Sequence, residues 1–100
     1  MRSIDGDWVA TADGCMACFG YTATWKVTIV DENNIIVKEQ PGSKCCGCVP
    51  NCFLKTHEMQ KKGENQYAGR LCGKPIGLTQ ESDTVCRHFT TDGPMKMTRD

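Results

Sequence analysis

The stretch TATWKVTIVDENNIIVKEQ, residues 22 to 40, repeats with a period of two: Ala23, Trp25, Val27 and Ile29 fall on one side, Thr24, Lys26, Thr28 and Val30 on the other. A helix would scatter those apolar groups around its axis, whereas a pleated strand gathers them onto one face. Asp31 to Asn34 carry turn-forming residues, and Ile35, Ile36 and Val37 resume β-branched character, so the segment predicts a hairpin. Weaker versions of the same unit follow. FLKTHEMQ and QYAGRLC flank the turn KKGEN, PIGLTQ and TVCRHFTT flank Glu81 to Asp83, DGP precedes MKMTR, and WVATA supplies a first strand. No window has helical periodicity of useful length. The sequence therefore predicts one small all-β domain over residues 1–100, an antiparallel up-and-down meander or small barrel of about eight short strands.

That order constrains the eight cysteines. In a meander, successive connections alternate between the two ends of the sheet. Connections at residues 14–21, 41–52 and 72–75 then share one end, with Cys15, Cys18, Cys45, Cys46, Cys48, Cys52 and Cys72; only Cys86 falls within a strand. DENN, KKGEN and ESD go to the other end. The expectation is a cysteine-rich rim at one pole.

Three chemistries suit such a rim. Cys15-Met-Ala-Cys18 and Cys45-Cys46-Gly-Cys48 are two C-x-x-C knuckles in Gly-containing turns, a donor set whose charge and softness fit one tetrahedral Zn²⁺. Cys46 and Cys52 compete with them as ligands. Disulfides are the second reading, favoured if the chain is exported. S-acylation of exposed loop cysteines, Cys46, Cys52 and Cys72 among them, is the third. A thioredoxin-type redox role for Cys15 and Cys18 lacks the βαβ context and the helix that lowers the thiol pKa.

Twelve Lys and Arg balance twelve Asp and Glu, so no overall field draws the chain to nucleic acid. The opening MRSIDGDWVATADG has no apolar run of signal-peptide length, and no Asn-x-Ser/Thr sequon occurs, which together predict a cytoplasmic setting. The motifs of nucleotide binding, metallopeptidases and hydrolases are missing, and no catalytic residue is nominated. One candidate ligand clamp remains. If the Phe53, Lys55, His57, Met59 face and the Val85, Arg87, Phe89 face both point inward, then Lys55, His57 and Arg87 converge on a carboxylate or phosphate. The simpler arrangement leaves Lys55 and Arg87 on a solvated face with Cys86 and His88 turned the other way, and it is favoured because an unpartnered charge in a small core is costly.

Residues 15–71 resemble the cysteine-rich part of phospholipid scramblases: CMACFG, then WKVTIVD, a hairpin into IIVKEQP, the run CCGCVPNC, the strand FLKTHEMQ, and a Gly-containing turn into QYAGRL. The resemblance implies a cytosolic β-barrel at a membrane surface, with Cys45, Cys46, Cys48 and Cys52 as its palmitoylation site. An acidic calcium-binding loop of that family's type is missing, and the chain is about half the length of a tubby-like barrel, so the resemblance carries membrane association rather than lipid scrambling. Gly6-Asp7-Trp8 and Arg99 are similar to the G-x-W and last-strand basic residue of lipocalin-like barrels, which implies Arg99 stacked on Trp8 at the end opposite the cysteines. The expected function is a non-enzymatic lipid- or membrane-surface-associated binding module. The alternative is a zinc- or disulfide-stapled structural domain that docks on protein partners through its sheet edges.

Overall fold

A computed structural model describes residues 3–12, 22–42, 54–91 and 93–99. Among them are eight strands: β1 (Gly6–Ala12), β2 (Thr22–Asp31), β3 (Asn34–Glu39), β4 (Thr56–Gly63), β5 (Gln66–Leu71), β6 (Lys74–Gln80), β7 (Val85–Thr90) and β8 (Gly93–Thr98). Each pairs antiparallel with the next, and β8 returns to β1 through Val9 to Ala12 against Thr98 to Met95, closing the barrel. Closure leaves no open edge strand on the ring among the described residues.

The alternation seen in the sequence sets the faces. Ala23, Trp25 and Val27 of β2 face the core, as do Ile35 and Val37 of β3, while Thr22, Lys26 and Thr28 are exposed. Ile29 departs from the pattern and is exposed, as is Val30 on the outward side. The β2–β3 register shifts between Ile29 and Asp31, and the extra residue of that bulge ends the inward alternation before the turn. The Asp31 carboxylate then accepts hydrogen bonds from the Asn33 backbone N–H at 2.8 Å and the Asn34 amide at 2.9 Å. These bonds hold its pKa below the usual carboxylate value.

β4 runs past the predicted boundary. Lys61 to Gly63 are strand, and the turn is only Glu64-Asn65, with Asn65 at φ 62°. The β5–β6 loop is Cys72-Gly73, both at positive φ (53° and 80°), the requirement of a type I′ hairpin turn. Beyond the Gln60–Ala68 pair of β4 and β5, Gly69 permits a close approach: a Cβ built there would clash with the Glu58 carbonyl oxygen.

An eight-stranded barrel encloses just enough space for its own side chains. Here the axis is filled by Trp8, Trp25, Ile35, Met59, Leu78, Met95 and Met97, each under 3% exposed. One end is shut by the chain termini. Trp8 Nε1 donates to the Ile4 carbonyl at 2.8 Å, and the Arg99 guanidinium lies 4.2 Å from the centre of the Trp8 ring. Arg99 also donates to the carbonyls of Ser3 (2.6 Å), Asp5 (2.9 Å) and Asp83 (2.8 Å), so one side chain binds the N-terminal segment, the β6–β7 turn and the end of β8.

Arg99→Ala is expected to cost about 2–3 kcal/mol in urea denaturation, since it removes the ring contact and three charge-assisted hydrogen bonds on a half-exposed group. Arg99→Lys should recover less than half of that, because an ammonium cannot both stack and fork. Gly69→Ala should cost roughly 1–3 kcal/mol through its clash with the β4 backbone, by the same measurement.

Candidate functional site: a histidine pair and a basic pole

The barrel has two unlike poles. The flanks of the cysteine-rich segments, Ala12 and Thr22, then Gly42 and Leu54, meet at the end that carries the Cys72-Gly73 and Thr91–Gly93 turns. The other end holds Asp31 to Asn34, Glu64-Asn65, Glu81 to Thr84 and Arg99. Cys15, Cys18, Cys45, Cys46, Cys48 and Cys52 lie outside the described residues, and with them the expected zinc positions and every expected acylation position but Cys72. Of the two described cysteines, Cys72 is exposed at the predicted pole and Cys86 is buried within β7. Burial pushes the Cys86 thiol up to about 12, against the smaller opposing pull of Arg99, so it stays protonated at neutral pH. No group of three or more His, Cys, Asp or Glu able to hold a metal ion occurs among the described residues.

The clamp of Lys55, His57 and Arg87 is not assembled. β7 turns Cys86, His88 and Thr90 inward and Arg87 outward, where its Nε donates to Glu81 Oε1 at 3.0 Å. His57 does point inward, and Lys55 is half-buried at the pole, its Nζ donating to Thr91 Oγ1 at 3.3 Å. The backbone of Lys55 exchanges hydrogen bonds with the buried Glu39, whose Oε1 accepts from Lys55 N at 3.2 Å.

What the sequence reading missed is the partner of His57. His57 Nδ1 lies 2.9 Å from His88 Nε2, although β4 and β7 are not neighbours in the ring, so the two imidazoles meet across the barrel interior. Both are buried, and both rings lie against Trp25, with centroids 5.0 Å and 4.8 Å from it. One nitrogen of the facing pair donates and the other accepts. The signal was present: each His occupies an inward parity position on its strand, and only the barrel's curvature brings those positions together. Burial, with a smaller contribution from His57, lowers the His88 pKa to about 3, so the ring is uncharged near neutrality.

Two depressions open outside the core. One of about 770 Å³ lies on the outer face of β3 to β6, walled by Val30, Ile36, Glu58, Lys62, Arg70 and Pro75. The other, of about 550 Å³, sits at the acidic pole among Ile29, Asp31, Lys61 and Tyr67. Charge is divided between the poles although it sums to zero. Lys38, Lys55, Arg70 and Lys74 stand at or within one residue of the strand ends on the cysteine side, where the nearby acid Glu39 is buried. Asp5, Asp31, Glu32, Glu64, Glu81 and Asp83 crowd the opposite end, tempered by Lys61, Lys62 and Arg99. Phe89, 51% exposed and paired with Pro94, adds an aromatic group to the outer wall near the basic end.

No protein-family model, no curated protein and no solved structure matches this chain.

Because the unfolded chain protonates His88 near 6.5 while the folded one resists until about 3, stability is full above pH 6.5 and declines as pH falls through the interval to 3. The loss is expected to be on the order of a few kcal/mol, and His88→Phe should flatten that part of the curve measured by urea midpoint against pH.

Proposed function

We infer that this protein is a non-enzymatic binding module that associates with an anionic lipid or membrane surface through its cysteine-rich pole, in a cytoplasmic setting. The observation that carries the reading is the separation of charge along the barrel axis: Lys38, Arg70 and Lys74 are exposed at the cysteine pole and the acids gather at the other. Basic side chains close to an anionic leaflet contribute about 1 kcal/mol each, and acylation of a neighbouring cysteine supplies the second anchor that stable attachment requires. The filled axis supports a surface mode of binding over enclosure of an acyl chain within the barrel.

A second reading is favoured by the way the flanks of residues 13–21 and 43–53 meet at one pole: Cys15, Cys18, Cys45 and Cys48 hold Zn²⁺, or the cysteines are joined as disulfides, and the barrel is a structural or protein-interaction domain. Intact mass before and after reduction distinguishes a palmitoyl increment, one zinc, or hydrogens lost to disulfides.

Cosedimentation should show binding to mixed phosphatidylcholine and phosphatidylserine vesicles but not to phosphatidylcholine alone, weakening as salt rises. Charge reversal in Arg70→Glu with Lys74→Glu should weaken it at least about tenfold, while Glu64→Lys at the far pole does not weaken it. Binding that ignores phosphatidylserine, or survives the double reversal, would defeat the surface reading.

A further inference from the structure

The interior beneath the basic pole is unusual in its donor atoms. His57 Nδ1 and His88 Nε2 face each other at 2.9 Å. Four sulfur-bearing residues share the inward faces of these strands: Met95 is the cross-strand partner of His88, Cys86 lies two residues before His88 on the same inward face, Met97 opposes Cys86, and Met59 follows His57 by two. All four sulfur residues are 2% exposed or less. Imidazole nitrogen with thioether sulfur is a soft donor set.

We propose that the His57–His88 pair is a binding site for a single soft monovalent cation, Cu(I), held between His57 Nδ1 and His88 Nε2 within the close-packed core beside Trp25. Hard ions such as Ca²⁺ and Mg²⁺ require oxygen ligands in numbers that two imidazoles do not supply. A dication is also disfavoured electrostatically, since the cost of burying charge rises with its square. With metal–nitrogen bonds of about 2.0 Å, a three-coordinate ion needs the two nitrogens roughly 3.5 Å apart, a widening of about 0.6 Å.

The proton balance is simple. In the empty pair one hydrogen lies between the two facing nitrogens; on binding, it moves to the outer nitrogen of the same ring. Both imidazoles stay neutral, no proton is released, and the site gains one positive charge. His88 Nδ1 is buried and makes no hydrogen bond among the described residues, so its lone pair or N–H is open to that exchange.

The test must separate the histidines from the cysteines, which also take soft ions. In the full chain, with accessible thiols blocked by iodoacetamide, Ag(I) serves as a redox-inert substitute and imidazole ¹⁵N shifts are followed by NMR. The expected result is that one equivalent moves His57 Nδ1 and His88 Nε2 together and raises the melting temperature. His88→Phe, which keeps a ring against Trp25, should lower Ag(I) affinity at least a hundredfold. Imidazole signals that stay in place under excess Ag(I), or a His88→Phe chain that binds as tightly as the parent, would overturn the site. Should that variant fail to fold, the nitrogen shifts of the parent chain decide alone. The membrane reading is tested separately and does not depend on this result.

Discussion

Ring closure through β1 and β8 is the constraint from which the other features follow. A flat sheet of these strands would need a second layer to cover Trp8, Trp25 and the interior methionines, and this chain has no further strands or helices among its described residues to provide one. Closing the sheet makes each strand the cover of those opposite it. Short strands of six to ten residues then suffice, because each contributes only two or three inward side chains to a shared axis. The same closure imposes tight curvature. That curvature is absorbed locally, at the bulge beside Val30 and at Gly69, where β4's backbone occupies the space a side chain would need.

Filling so narrow an axis with two histidines has an energetic consequence. Each imidazole carries one donor and one acceptor into a region without bulk water, and each unsatisfied group there costs about 1–3 kcal/mol. Facing the rings toward each other satisfies one donor and one acceptor together and leaves His88 Nδ1 without a hydrogen bond among the described residues. A pair of leucines would stabilise such a core better. The polar pair therefore stands out against its surroundings of Met, Trp and Cys, in the same way that buried polar groups in small cores commonly mark a site where specificity matters more than stability.

The sequence was legible where alternation was regular and where a turn had one chemical solution. β2 and β3 are legible in Trp25, Val27, Ile35 and Val37 because every second residue is apolar, and the Arg99–Trp8 contact is the one that the lipocalin-like resemblance implied for the two ends of an eight-strand meander. Legibility failed where parity was broken or where partners were remote. Val30 reads as an ordinary outward residue in the alternation, yet it sits in a bulge that no local signal announces. KKGEN looks like a turn by composition, but Lys61 to Gly63 remain paired because the register shift lets β4 continue past its apolar portion. Arg87 and His88 differ by one position, and nothing within TVCRHFTT states which parity faces in; the neighbouring strands decide it. His57 and His88 are separated by 31 residues, and their contact depends on four strands of curvature that no pairwise spacing encodes.

Net neutrality concealed the feature that gives the barrel direction. A meander sends alternate turns to opposite ends, so any bias between odd and even connections in the sequence becomes a bias between poles in space. Here the even connections carry DENN, GENQ and ESD, and the odd ones carry or adjoin Lys38, Lys55, Arg70 and Lys74. The result is a dipolar particle with no net charge, which salt screens over about 10 Å. Such a particle feels little force far from a charged surface and turns one end toward it only on close approach. Long-range steering is therefore weak, while orientation at contact is strong. For a domain about 36 Å along its longest extent, contact with an anionic surface would favour turning the end that carries Lys74 toward it, with the acidic end in solvent.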